Sequence, residues 1–204
     1  EIWESSSKMW LVSTMSVVAT YGGVLIAGAY VQSEDLAYLV AAQRTASLIA
    51  FVLVVVNTVV APNYSRLWHD GDLTALRRLA KNSTRAMLTL ALPIVMTIVF
   101  FSDFIMRFFG KGFESGAPLL VIIAAGQLVN VATGSVSSLL YMTGHERDMR
   151  NVTMFSGPAT VVCAFWFTAT WGVLGAAYAT ALGLTLHNLV ALWMVRRRLG
   201  FYPL

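Results

Sequence analysis

Long apolar stretches punctuated by short polar ones dominate the chain, and none keeps the strict two-residue alternation of a barrel strand. At least five runs of roughly 20 or more residues lack a carboxylate, each long enough to cross a hydrocarbon core of about 30 Å as a helix. A sixth, 87–101, is shorter and needs the helix before it to complete the span. The pattern predicts spans at 9–31, 36–60, 85–101, 118–142, 152–170 and 173–195. The expected fold class is all-α integral membrane, a single six-helix domain over 1–204.

Composition agrees with the pattern. The 204 residues are 57% hydrophobic and 12% charged, with a mean hydropathy of +0.70, far from the roughly 45–50% apolar and 25% charged of soluble domains. The one cysteine, Cys163, lies inside the fifth span, where it packs as a small apolar residue. The chain starts at Glu1 with no signal peptide before the first span, so a piece of a longer polytopic protein is expected.

Charge then orients the spans. If successive helices alternate, one side receives eleven cations: Lys8, Arg66, Arg77, Arg78, Lys81, Arg85, Arg147, Arg150, Arg196, Arg197 and Arg198. The other side receives only Arg107 and Lys111, and Arg44 stays within the membrane. By the positive-inside rule both ends of the chain are cytoplasmic. The net charge of +4 follows from this topology, so nucleic-acid binding is not needed to explain it.

The longest cytoplasmic connection, 62–85, reads PNYSRLWHDGDLTALRRLAKNSTR. Pro62 should end the second span near Ala61, because it lacks an amide proton and disfavours helix for the residue before it. Asp70-Gly71-Asp72 signals a turn, and Asp72 can cap the helix that follows. There Leu73, Leu76 and Ala80 share one face, and Arg77, Arg78, Lys81 and Arg85 another. This predicts an interfacial amphipathic helix leading into the third span. Its cations either contact anionic lipid headgroups, at about 1 kcal/mol each, or serve topology alone.

Polar residues inside the spans fall on stripes. At about 100° per residue, Gln43, Arg44, Ser47, Asn57 and Thr58 share an arc of about 140° on the second span. In the fourth, Gln127, Asn130, Gly134, Ser137, Ser138 and Tyr141 lie within about 100°, and the first adds Ser13, Ser16 and Thr20. Small and hydroxyl residues in such stripes commonly serve close packing. The larger amides of Gln43, Asn57, Gln127 and Asn130 favour a wet cavity. Arg44 lies about 6 Å outside the middle of its span, a position that costs about 2.5–3.5 kcal/mol on insertion scales unless the side chain snorkels. No carboxylate lies within the six spans to pair with it. An anionic ligand, a wet cavity, an acid on helices outside this chain, or snorkelling to the outer headgroups would each accommodate it.

Catalytic patterns are missing: there is no HExxH, nucleophile elbow, P-loop or paired-carboxylate motif. His69 and His145 fall in loops. His187, beside Asn188 in the sixth span and without an acid neighbour, reads as a packing or hydrogen-bonding residue. No metal or cofactor is expected, and the chain reads as a transporter.

In the segments AYLVAAQR, VNTVVAPNYSRLWHDGDLTALRRL, FFGKGFESGAPLL, GQLVNVATGSVSSLLYMTGHE and WGVLGAAYATALGLTLHNLVALWMVRRRLG, from about residue 37 onward, the chain resembles the C-terminal half of a polysaccharide-type flippase. Such proteins belong to the multidrug/oligosaccharidyl-lipid/polysaccharide exporter superfamily. The resemblance implies one half of a two-lobed, MATE-like transporter fold, with an N-terminal lobe as partner. It also implies export of an undecaprenyl-diphosphate-linked O-antigen or exopolysaccharide unit across the bacterial cytoplasmic membrane. On that reading Arg44 contacts phosphate, and Gln43, Asn57, Gln127 and Asn130 line the substrate path. Many relatives carry an acid in the first helix of this half, but here VVATYGGVLIAGAYV has none, which argues against acid-based ion coupling in that helix. A multidrug exporter, a lipid II flippase, a membrane-embedded glycan polymerase or ligase, and a structural subunit are the alternatives.

Overall fold

A computed structural model describes residues 26–203. The expected first span lies outside the described residues except for its end, where 26–30 are helical. The rest is a succession of helices: α1 (Ser33–His69), α2 (Leu73–Phe100), α3 (Ser102–Arg107), a 3-10 turn (Phe113–Gly116), α4 (Ala117–Ala132), α5 (Val136–Met142) and α6 (Glu146–Leu199). Four stretches are long and apolar enough to cross a membrane: α1, α2, Phe113–Met142 and α6.

α1 begins with Glu34 and Asp35 in its first turn, where carboxylates suit the positive end of the helix dipole. It does not end at Ala61 as Pro62 predicted but runs through the proline to His69. One local and one tertiary contact accompany the helix through the proline: the Asn63 side-chain amide donates to the Val59 carbonyl one turn earlier at 3.0 Å, and the buried Tyr64 hydroxyl lies 2.8 Å from that of Ser83 on α2.

The turn at 70–72 forms as expected, with the Asp72 carboxylate accepting the Ala75 amide at 2.8 Å. The helix after it is continuous with the stretch expected as the third span. α2 rises without a break from Leu73 through the third span, with Pro93 inside it. Leu76 and Ala80 are buried in the protein core, while Leu73 remains exposed. Their apolar row is satisfied by protein, against Tyr64, Val136 and Leu139, and not by lipid.

The span at 118–142 is broken. α4 stops at Ala132 and α5 starts at Val136, with Gly134 between them at φ +74. A Cβ there would run into the Thr84 hydroxyl of α2, so glycine is required by both conformation and space.

α6 contains the fifth and sixth spans with no loop between them. Gly172 alone (φ 58, ψ −137) departs from helix. The arms 146–171 and 173–199 run antiparallel, each about 40 Å long at about 1.5 Å per residue. Their register is fixed along its length. Any Cβ on Gly175 would collide with the Phe167 carbonyl, and any on Gly183 with Thr160. At the far end Arg198 grips Asp148 with a bidentate fork, Nη2 to Oδ1 at 2.8 Å and Nε to Oδ2 at 2.7 Å.

α4 is the central strut, packing on α1, α2 and α6. Gly126 allows the closest approach, since a Cβ there would lie 2.7 Å from the Ala181 Cα on the second arm of α6. The buried apolar residues form two clusters. One gathers 39–49, 87–98 and 117–124; the other gathers 60–64, 76–80, 136–140 and 191–201. All the loop cations of the described residues except Arg107 and Lys111 belong to the second end, which agrees with the predicted charge asymmetry. Large apolar side chains such as Phe51, Val59, Phe100, Phe165 and Trp166 face outward, as contact with lipid tails allows.

Candidate functional site

A cavity of about 480 Å³ opens between α1, α4 and the two arms of α6. Helical periodicity builds its polar wall. Thr153, Ser156 and Thr160 recur at three- and four-residue steps along the first arm, and Thr180 and His187 face them from the second. Gln43 of α1, Gln127 of α4 and Tyr141 of α5 add further polar groups to the lining.

These groups are tied loosely to one another. Gln43 Nε2 donates to Thr180 Oγ1 at 3.3 Å, and Asn130 Nδ2 donates to Gln127 Oε1 at 3.0 Å. Ser156 Oγ and His187 Nδ1 are 2.9 Å apart, linking the arms. The Thr160 and Thr180 hydroxyls donate to the Ser156 and Ala176 carbonyls, which leaves the lone pairs of Thr160, and the one of Thr180 not taken by Gln43, free to accept. The result is a neutral surface of amides, hydroxyls and one imidazole. Such a surface suits a ligand rich in hydroxyls.

Of the five residues assigned to a path from sequence, Gln43 and Gln127 line the cavity and Asn130 is bonded to Gln127. Arg44 and Asn57 do not line it. Arg44 is exposed on the outer side of α1, with no ion pair among the described residues, because one step along a helix turns a side chain by about 100°. Asn57 lies fourteen residues from Gln43, beyond the reach of the cavity, and its Oδ1 is buried without a hydrogen-bond partner among the described residues. The other polar members of the α1 arc are absorbed locally: Ser47 and Thr58 donate to the carbonyls of Arg44 and Val55. Tyr141, on the second predicted stripe, does reach the cavity.

The hydroxyl wall of α6 was not anticipated. Its signal is the 153, 156, 160 spacing, the same kind of stripe that singled out Gln127 and Asn130. Asn188 proves structural, buried and donating to the Leu184 carbonyl. Of the residues assigned to headgroups, Arg77, Arg78 and Arg85 are exposed and Lys81 is half-buried.

Outside the membrane spans, the Arg198 guanidinium beside Asp148 holds that carboxyl below the usual carboxylate range.

Comparison with known proteins places this geometry. Residues 1–117 match the family described as polysaccharide biosynthesis protein. The chain is 24% identical over 196 residues to a protein named probable low-salt glycan biosynthesis flippase Agl15, from Haloferax volcanii, covering 92% of this chain and 41% of that one. Its fold matches the lipid II flippase MurJ in an inward closed conformation, with a TM-score of 0.77 at 18% identity, over 91% of this chain and 41% of that structure. The chain thus spans about two fifths of the length of each relative. The resemblance to polysaccharide-type flippases seen in the sequence holds in both family and fold.

Proposed function

Because the chain belongs to the polysaccharide biosynthesis protein family, we propose that it forms one lobe, the C-terminal one, of a transporter that flips a lipid-linked oligosaccharide. Transfer runs from the cytoplasmic to the outer leaflet by alternating access between this lobe and an N-terminal partner. The carrying observation is the neutral cavity lined by Gln43, Gln127, Thr153, Ser156, Thr160, Thr180 and His187 within a membrane-spanning bundle. Amides and hydroxyls with spare lone pairs match sugar hydroxyls, and a hydrated wall gives the polar head passage past lipid tails.

In this reading Gln43, Gln127 and Asn130 contact the glycan. Arg44, facing outward one residue along from Gln43, meets the diphosphate of an undecaprenyl-type carrier or an acid on the partner lobe. Asn57 extends the polar path toward the cation-rich end. Both ends of this chain lie on the cytoplasmic side of a bacterial cytoplasmic membrane, because the cations of 62–85, 147–150 and 196–198 gather there.

The test replaces Gln43 and Gln127 by Leu, singly, in the full-length protein expressed in a strain lacking it. Loss of one hydrogen bond, about 1 kcal/mol, slows export roughly fivefold. Surface glycan falls and its lipid-linked precursor accumulates at equal membrane levels of protein. Unimpaired export in both variants refutes the cavity as the path. Unimpaired export in Arg44→Ala removes only the phosphate role of Arg44.

A further inference from the structure

A second concavity, an open groove of about 660 Å³, lies between the last turns of α1 and the first turns of α2, away from the transport cavity. Its walls are two helical rows. Asn63 and Arg66, three residues apart, line it from α1; Thr74, Arg78 and Asn82, at four-residue steps, line it from α2. Leu67 and Leu79, half-buried against the cluster beneath, form an apolar base.

The groove has unspent cationic capacity. Neither Arg66 nor Arg78 has an ion-pair partner among the described residues, in contrast to Arg198, which is satisfied by Asp148. The one acid at the groove, Asp72, is engaged in capping the Ala75 amide. Two guanidinium forks, each rigid and rich in donors, therefore face the groove beside the Asn82 amide and the Thr74 hydroxyl. The Asn63 amide nitrogen is used on the Val59 carbonyl, which leaves its oxygen to accept from a hydroxyl. Donors of this number and planarity fit a phosphate dianion, with a hydroxyl-bearing group beside it.

Depth narrows the source of that phosphate. The apolar span of α1 ends at residue 60, and Arg66 is six residues further, about 9 Å along the helix. That is the headgroup layer, beyond a hydrocarbon core of about 30 Å in a bilayer of about 40–45 Å.

We infer that the Arg66–Arg78 groove binds the phosphate-bearing headgroup of a membrane lipid at the cation-rich face. The two possible sources are bulk anionic phospholipid and the diphosphate of a polyprenyl carrier. The inference concerns binding alone, so it stands or falls separately from glycan flipping.

The experiment uses the full-length protein in phosphatidylcholine nanodiscs, titrated with phosphatidylglycerol in one arm and undecaprenyl diphosphate in the other, with bound lipid counted by native mass spectrometry. Arg66→Gln and Arg78→Gln each weaken binding roughly fivefold. Arg107→Gln, at the opposite end, leaves it unchanged. Both groove residues are exposed, and an unaltered size-exclusion profile verifies the fold. Weakening for undecaprenyl diphosphate alone identifies the carrier as the ligand, and weakening in both arms identifies anionic headgroups in general. Unchanged affinity in both arms, or equal weakening by Arg107→Gln, overturns the assignment.

Discussion

Replacing Gly134 by Ala tests the broken helix, and its cost separates into two parts. The first is backbone strain. At φ +74 an L-residue with a Cβ loses about 1–2 kcal/mol relative to its right-handed state. The second is collision. The new methyl would meet the Thr84 hydroxyl and lie 3.1 Å from the Thr84 Cβ and 3.2 Å from its Cγ2. Thr84 cannot easily turn aside, being buried with its hydroxyl donating to the Ala80 carbonyl at 3.0 Å. Overpacking of this kind costs about 1–3 kcal/mol, so Gly134→Ala should destabilise by roughly 2–5 kcal/mol. In a Thr84→Ala background the hydroxyl and Cγ2 are gone and only the 3.1 Å approach to Cβ remains, so the same substitution should cost little more than the strain. Gly144→Ala supplies a reference for strain alone, since Gly144 has φ +76 and nothing within 4 Å of its would-be Cβ. The assay is equilibrium unfolding of the full-length protein by SDS titration in mixed micelles, combined as a double-mutant cycle. Equal costs in the two backgrounds would show that Thr84 does not press on the break. A cost under about 0.5 kcal/mol would show that residue 134 is not left-handed at all.

Two further outcomes follow from the arms of α6. Asp148→Asn should lower stability at pH 7 only modestly, because Arg198 is half-exposed and solvent screens the pair. The folded-state pKa of Asp148 is depressed, so the contribution of the pair is complete above the unfolded value of about 3.9 and is lost as pH falls through the folded one. Unfolding followed against pH should therefore show the gap between the native protein and Asp148→Asn closing in acid; a constant gap refutes the pairing. Ser156→Ala should cost about 1 kcal/mol by leaving His187 Nδ1 to water, and His187→Ala should then cost less in the Ser156→Ala background than alone. Additive losses would mean that the contact contributes nothing.

The long helical stretches were legible because apolar length alone marks them, and the break between the stretches expected at 152–170 and 173–195 falls at Gly172. Pro62 is a local signal, and the helix runs through it where Tyr64 packs against α2. The break at Gly134 depended on Thr84, fifty residues earlier in the chain, which no local window includes. Projection of single helices put Gln43, Arg44 and Asn57 on one stripe, and of these three Gln43 lines the cavity. A shared arc of about 140° is wider than one helix face can present to a cavity. Only the packing of α1 on α4 fixes which edge of that arc turns inward.

The hairpin of α6 is fastened at both extremities, by a one-residue reversal at Gly172 and by the Asp148–Arg198 fork about 40 Å away. Between these fixed points Gly175 and Gly183 leave the arms no room to slide. The hydroxyl wall carried by the hairpin is therefore held in one register by contacts along its length. That wall meets α1 through the 3.3 Å hydrogen bond from Gln43 to Thr180, so the cavity joins a braced pair of arms to a neighbour held by a single long contact at this point.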